Sequence, residues 1–220
     1  MPLSESRKTQ SVGEILLALW SELEPDLSEL DEYGGGDYDV VDDVASLLYQ
    51  IEQKLSRKKI DAKYRHELLT NVLPYIESGN AGLDDPLYDL AYATCYDDND
   101  LRFLAESFEA MGGDWKIEHA RYIYRQLDDR DKYLELRSRK MVYGADYYDL
   151  ASFYWKAGEK EKALQVADRG LQNGEGRMDE LREFVAQRAK DNGNRDRYIE
   201  DSIHMLWFSL VWHSNTGALN

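Results

Sequence analysis

The sequence predicts an all-α protein built as an array of antiparallel helix hairpins, an α-solenoid in its architecture. Apolar residues recur at the three- and four-residue spacing of amphipathic helices, and no stretch alternates as a half-buried strand does. A helical unit also recurs, because the small residues that mark it, Ala91, Ala120 and Ala151, are 29 and 31 residues apart. Repeats of this length are typical of helical arrays in which each unit stacks on its neighbours.

The composition is that of a folded, acidic protein. The 220 residues are 43% hydrophobic and carry a formal net charge of −16. A sizeable core is therefore expected, whereas nucleic acid and membranes are not the expected partners. The lone Cys95 can form no internal disulfide, so a cytoplasmic location is the simplest interpretation. The longest apolar run, residues 205–212, is far shorter than the roughly 20 residues that span a bilayer.

Residues 11–80 predict an N-terminal helical segment that follows a flexible tail at 1–10. Ser11 is the expected N-cap of the first helix, and the second helix is expected over 40–55. Asp61 is the expected N-cap of the third, in which Pro74 predicts a kink or an early end, and Gly79 and Gly82 predict the terminus. The apolar stripe of this third helix consists of Tyr64, Leu68, Leu69, Val72, Leu73 and Ile76.

The segment from Glu22 to Asp43 holds ten acidic residues and no basic one. A solvated connection between helices is the favoured interpretation. The alternative is a cation site, for which the available carboxylates are Asp37, Asp39, Asp42 and Asp43. These residues lack the ligand order of a calcium-binding loop, so the signal for that alternative is weak.

Residues 83–174 predict six short helices arranged as three pairs. The expected pairs are 84–96 with 97–113, 114–127 with 128–141, and 144–158 with 159–174, separated by clusters of Asp or Gly. Residues 177–220 are expected to form C-terminal helices that cover the last apolar face of the array. The residues expected to make this contact are Phe184, Val185, Tyr198, Ile203, Leu206 and Trp207.

The third pair resembles a tetratricopeptide repeat. The residues that carry the resemblance are Tyr147, Leu150, Ala151 and Tyr154 on the first helix, Gly158 at the turn, and Ala163, Ala167 and Gly170 on the second. Small side chains at these places let two helix axes approach to about 8 Å. Glu175 stands where the repeat usually closes with proline. Over about residues 82–172 the chain also resembles the C-terminal helical region of bacterial SWIM-type zinc-finger proteins, but it lacks their zinc motif.

Stacked helix hairpins expose a concave face lined by their first helices. With the three alanines as reference points, the residues expected to line it are Tyr88, Tyr92 and Tyr96, then Ile117, Arg121, Tyr124 and Arg125, then Tyr148, Ser152, Trp155 and Lys156. Such a groove would be basic and aromatic, and Arg121 and Arg125 could together bind a carboxylate. The tetratricopeptide resemblance implies that a peptide occupies it. The alternative is that the tyrosines pack between helices and the arginines pair with Glu118, Asp128 or Asp129.

The chain carries no sequence motif for catalysis, so an enzyme is not expected, and no cofactor or metal is predicted. The four histidines, His66, His119, His204 and His213, do not pair with each other or with Cys95 at metal-ligand spacing. Phosphate-binding loops and nucleophile motifs do not occur. Cys95 is expected to be a buried structural thiol.

Three functions follow in order of preference. The first is a non-enzymatic adaptor that binds a protein or peptide in the concave groove, with an acidic segment as one option. The second is a structural or oligomerisation subunit that associates through the apolar segment 205–212. The third is a metal-dependent carboxylate enzyme built on residues 37–43.

Overall fold

The computed structural model describes residues 3–29, 38–79 and 82–191, together with 193 and 199. Ten α-helices make up most of this described part, which confirms the all-α prediction. Their bounds are α1 (Leu3–Glu29), α2 (Tyr38–Arg57), α3 (Ala62–Ser78), α4 (Asp84–Ala93), α5 (Asp98–Met111), α6 (Asp114–Gln126), α7 (Arg130–Arg139), α8 (Gly144–Lys156), α9 (Lys160–Asn173) and α10 (Asp179–Asp191). The chain divides into two compact units, Met1–Tyr133 and Leu134–Asn220.

The first three helices follow the sequence prediction except at the start of α1. This helix begins at Leu3, so the prediction that Ser11 caps it is wrong. Residues 3–10 contain neither Pro nor Gly, and nothing in them interrupts the helix. The N-cap of α3 is confirmed, because the Lys63 amide donates to a carboxylate oxygen of Asp61 at 3.0 Å. The helix continues through Pro74 to Ser78, and the expected apolar stripe is buried along its whole length.

The next six helices lie where the sequence places them, but two of the expected pairs are incorrect. The sequence paired α4 with α5 and α6 with α7. In the structure α5 packs chiefly on α6, whereas α4 packs on α2 and α3. The contact between α5 and α6 includes a hydrogen bond of 3.2 Å from the hydroxyl of the fully buried Tyr124 to Glu109. The helices therefore pack as sequential neighbours, with the partners shifted by one helix in the first unit.

A buried arginine in α3 joins the ends of several helices of the first unit. Arg65 Nε donates to the carbonyl oxygen of Ile60 at 3.1 Å, and Nη1 donates to that of Thr94, just after α4, at 2.8 Å. The same guanidinium forms an ion pair with Asp100 in the first turn of α5. Its carbon lies 4.1 Å from the centroid of the Tyr96 ring. Arg65 thus holds the end of α4 and the start of α5 against α3.

Tyr96 extends this junction to α2. Its single hydroxyl proton is shared between the carbonyl oxygens of Leu55, in the last turn of α2, and of Lys58, just beyond that helix, at 2.6 and 2.8 Å. Its amide donates to Asp100 at 2.9 Å. The sequence placed Tyr96 in the groove, but its hydroxyl is committed to satisfying carbonyl groups that a helix end leaves without partners.

The second unit contains the pair α8 and α9 with α10 packed on both. Its core cluster consists of Tyr147, Ala151, Ala163, Ala167, Leu181, Phe184 and Val185. The predicted small-residue contact between α8 and α9 is confirmed, as is the prediction that Phe184 and Val185 cover it. Tyr198, Ile203, Leu206 and Trp207, the other residues expected to do so, lie outside the described residues.

The segments that flank α8 and α9 are tied together by backbone hydrogen bonds. The Glu175 amide donates to the carbonyl oxygen of Val142 at 2.8 Å, and the Gly144 amide donates to that of Glu175 at 3.0 Å. A proline at 175 would have no N–H for the first of these bonds. The absence of proline there therefore has a direct structural explanation.

A buried ion pair fixes the start of α8. Arg137 Nη2 donates to Asp146 Oδ1 at 2.5 Å, and Oδ2 accepts the amides of Val142 and Tyr143, each at 2.9 Å. Burial would raise the pKa of Asp146, but the two amide donors and the Arg137 guanidinium lower that pKa below its ordinary value. Asp146 therefore stays ionised and caps the helix.

Replacing Arg65 is expected to destabilise the first unit strongly. Arg65→Met removes the charge that balances Asp100 and leaves two backbone carbonyls without their donor, at a cost of about 3 kcal/mol in the free energy of unfolding. Arg102→Met is the matched control, because Arg102 forms a 2.5 Å ion pair with Asp129 at an exposed site and should matter far less. Urea titration followed by circular dichroism measures both, and equal losses would contradict the role of Arg65.

Gly170→Ala is expected to destabilise the second unit, although alanine is the better helix former. A Cβ at this position would overlap the Tyr147 side chain and lie 2.7 Å from Cδ2 of Leu181. Overpacking of this kind costs about 1–3 kcal/mol, which exceeds the gain of up to about 1 kcal/mol in helix propensity. Thermal unfolding should show the loss for Gly170→Ala but not for Gln165→Ala on the exposed face of α9; a stabilised Gly170→Ala variant would show that the packing is loose.

Candidate ligand-binding surface

The eight residues predicted to bind a peptide fall in both compact units. Those of the first unit are Tyr88, Tyr92, Arg121, Tyr124 and Arg125, and those of the second are Tyr148, Trp155 and Lys156.

The predicted residues of α6 are largely occupied inside the first unit. Arg121 is buried and forms an ion pair with Glu118, one of the partners that the alternative interpretation named. Tyr124 is fully buried, so it has no surface to offer a ligand. Arg125 is half-buried, with its guanidinium carbon 5.7 Å from the centroid of the Tyr133 ring. The predicted residues of α6 therefore offer a ligand much less positive charge than the sequence suggested.

The exposed face of α6 carries two aromatic residues that the sequence analysis did not select. Trp115 is 61% exposed and Tyr122 is 64% exposed. Their separation of seven residues places them on one side of the helix, two turns apart. The seven-residue spacing of these two aromatic residues is visible in the sequence. Positions counted from Ala120, however, selected other residues of α6.

The predicted residues of the second unit surround Phe184. The rings of Tyr148 and Trp155 lie edge-on to that of Phe184, with centroids 6.0 and 5.9 Å away. Trp155 also has the Lys160 ammonium 5.2 Å and the Arg188 guanidinium carbon 4.9 Å from its ring centroid. Its ring is thus already engaged by cations of its own unit, while Lys156 is exposed.

In the first unit, His119 is surrounded by aromatic rings. Tyr88 stacks on it with a centroid distance of 4.2 Å, and the Trp115 ring meets it edge-on at 5.3 Å. The Tyr92 hydroxyl lies 2.9 Å from Nδ1 of His119. Burial lowers the pKa of His119, with Asp85 opposing the shift, and burial raises the pKa of Tyr88 to about 12. These groups are therefore uncharged at neutral pH and orient one another.

Two clefts flank α4 and meet at one carboxylate. The first, here the α2–α4 cleft, has a volume of about 610 Å³, and its lining residues are Ala45, Tyr49, Glu52, Ser56, Asp85, Pro86, Asp89, Tyr92 and Ala93. The second, the α4–α6 cleft, has about 430 Å³ and is lined by Ile76, Gly79, Asp84, Asp85, Tyr88, Trp115 and Lys116. Asp85 borders both.

The α2–α4 cleft concentrates negative charge beside exposed aromatic surface. Tyr49 is 61% exposed. Burial raises the pKa of Asp89, and the neighbouring charges of Glu52 and Asp85 raise it further. Glu52 accepts a hydrogen bond from Ser56 at 3.0 Å, whereas no lysine or arginine among the described residues forms an ion pair with Asp85 or Asp89.

Cys95 and His66 have surroundings typical of residues with a structural role. Burial is the main cause that raises the pKa of Cys95 to about 11, and its thiol donates to the carbonyl oxygen of Ala91 at 3.5 Å. The thiol is therefore protonated at neutral pH, as a structural cysteine would be. The His66 ring lies 4.7 Å from that of Phe103. His204 and His213 lie outside the described residues.

Within the described ranges, no group of three or more His, Cys, Asp or Glu side chains is placed to hold a metal ion. Of the carboxylates considered for a cation site, Asp37 lies outside those ranges. The helices of the described part likewise include none that is long and apolar enough to cross a membrane.

No family model, protein of curated function or solved structure matches the chain. Inferences about its function therefore depend on the residues and on their geometry.

Asp89→Asn is expected to stabilise the protein at neutral pH. The native pKa of Asp89 lies above the ordinary 3.8, so ionisation costs more in the folded protein than in the unfolded chain. This penalty is present above the native pKa and disappears below 3.8, where the carboxyl is protonated in both states. The melting temperature of the variant should exceed that of the wild type at pH 7, and the difference should vanish in acid.

Glu183→Gln, at an exposed position of α10, is the control and should leave the melting temperature unchanged at both pH values. A lower melting temperature for Asp89→Asn at pH 7 would show that the carboxylate has a stabilising partner.

Proposed function

We propose that the protein is a non-enzymatic binding module that holds a segment of a protein or peptide across the exposed side of α4. The observation that carries this proposal is the pair of clefts that meet at Asp85, each with aromatic residues in its wall. Exposed aromatic side chains beside a concave surface are what binding sites concentrate. An extended ligand could occupy both clefts at once, which a single closed pocket would not allow.

The proposal includes a tetratricopeptide-like arrangement for α8 and α9. Support for it comes from the buried Ala151, Ala163 and Ala167 between the helices, and from the close approach of Tyr147 to Gly170. Proteins of that family hold peptides in the groove of a helical array, and the likeness to the SWIM-type helical region remains part of the same proposal. The cytoplasm is the proposed location.

The two other functions lack comparable support. The oligomerisation segment, residues 205–212, lies outside the described residues. The metal-dependent enzyme was based on residues 37–43, of which 37 also lies outside.

The test is a selection of peptides from a random library on the immobilised protein, followed by fluorescence anisotropy with each selected peptide. Tyr49→Ser should weaken binding roughly tenfold, because an exposed ring at a cleft is a typical hot spot. Tyr122→Ser is the matched control: it removes the same side chain at nearly the same exposure, and Tyr122 lines neither cleft.

Peptides whose affinity falls for Tyr49→Ser but not for Tyr122→Ser would support the proposal. A selection without enriched peptides, or peptides that respond equally to both changes, would refute it.

A further inference from the structure

The α2–α4 cleft has the two features that recognise an organic cation. Its wall includes the rings of Tyr49 and Tyr92, and an aromatic face attracts a lysine or arginine head group within about 6 Å. Beside these rings stand three carboxylates, Glu52, Asp85 and Asp89, which can accept charge-assisted hydrogen bonds from the same group. Aromatic faces pack against the aliphatic part of such a side chain, and carboxylates stabilise its charge.

The charge of this cleft is not neutralised by the protein's own side chains. The half-buried carboxylates Asp100 and Glu109 of the first unit form ion pairs, with Arg65 and Lys132 respectively. In the α2–α4 cleft Glu52 is half-buried, whereas Asp85 and Asp89 are exposed. Asp85 and Asp89 form no such pair among the residues that the structure describes. The neighbouring charges of Glu52 and Asp85 disfavour ionisation of Asp89, and a cation supplied by a partner would relieve this repulsion.

We propose that the α2–α4 cleft binds a lysine or arginine side chain of a basic polypeptide segment. This inference rests on the proposed function and names the chemistry of its ligand. The inferred ligand is basic, whereas the sequence analysis considered an acidic peptide bound by Arg121 and Arg125. Arg121 is instead buried against Glu118.

A polypeptide fits this surface better than a small polyamine does. The aromatic and acidic groups do not end at the α2–α4 cleft, because Asp85 also borders the α4–α6 cleft, where Asp84 and Trp115 stand beside one basic residue, Lys116. A chain with basic residues at intervals can reach both clefts. The net charge of −16 adds a long-range attraction that speeds the approach of a cationic partner.

The experiment uses fluorescence anisotropy with matched short peptides that carry Lys and Arg, Gln, or Glu at the same alternating positions. At physiological ionic strength the basic peptide should bind and the other two should not. Asp85→Asn combined with Asp89→Asn should weaken binding of the basic peptide roughly five- to tenfold. Glu161→Gln combined with Glu183→Gln removes the same charge from exposed positions of the second unit and should change affinity less than about twofold.

Loss of binding in both double variants would mean attraction to net charge alone and would overturn the inference. Stronger competition from spermine than from the unlabelled basic peptide would overturn it in favour of a small polyamine.

A further outcome separates this inference from the proposed function. If neutral peptides bind as well as basic ones and all depend on Tyr49, the binding module stands and the cationic specificity is wrong. If no peptide depends on Tyr49, both are wrong.

Discussion

The position of α4 depends on the buried guanidinium of Arg65. This one group bonds the carbonyl oxygen of Thr94 just beyond α4, pairs with Asp100 at the start of α5, and lies over the ring of Tyr96. Tyr96 in turn satisfies the last carbonyls of α2. Because four helix ends converge on these few polar contacts, α4 is held beside α2 and α3 at a set angle, and its outer side is left facing solvent. The two clefts lie on either side of this helix.

The helices themselves were predictable because each carries its own evidence in sequence. Apolar periodicity, the Asp61 cap and the glycine that ends α3 are local signals, and the structure follows them. The pairing of helices was not predictable in the same way. Turn residues show where a helix ends but not which neighbour offers the larger apolar face, and α5 found that face on α6. The contact of α8 with α9 was predicted correctly because the size of the residues determines the steric fit. Only small side chains such as Ala163 and Ala167 allow the two helices to approach so closely.

The tyrosines of α4 are the part of the candidate surface whose position helical spacing could indicate. Tyr88 and Tyr92 do lie at clefts beside α4, since helical spacing from Ala91 fixes their direction. The sequence shows that arginines are present but not that Arg121 is buried and matched by Glu118 one turn earlier. Nor could the sequence show that Asp85 and Asp89, only two of many acidic residues, would stand in a cleft with Glu52. Local composition reports the average charge of a surface, whereas folding decides which charges remain without partners.

The contrast between two tryptophans has a practical optical consequence. Trp20 is 1% exposed in the core of the first unit, and Trp115 is 61% exposed at the rim of the α4–α6 cleft. Iodide in solution can collide with the second indole and not with the first. Because the chain holds five tryptophans, the difference in quenching between the wild type and Trp115→Phe isolates the signal of that rim, without any dye attached to the chain.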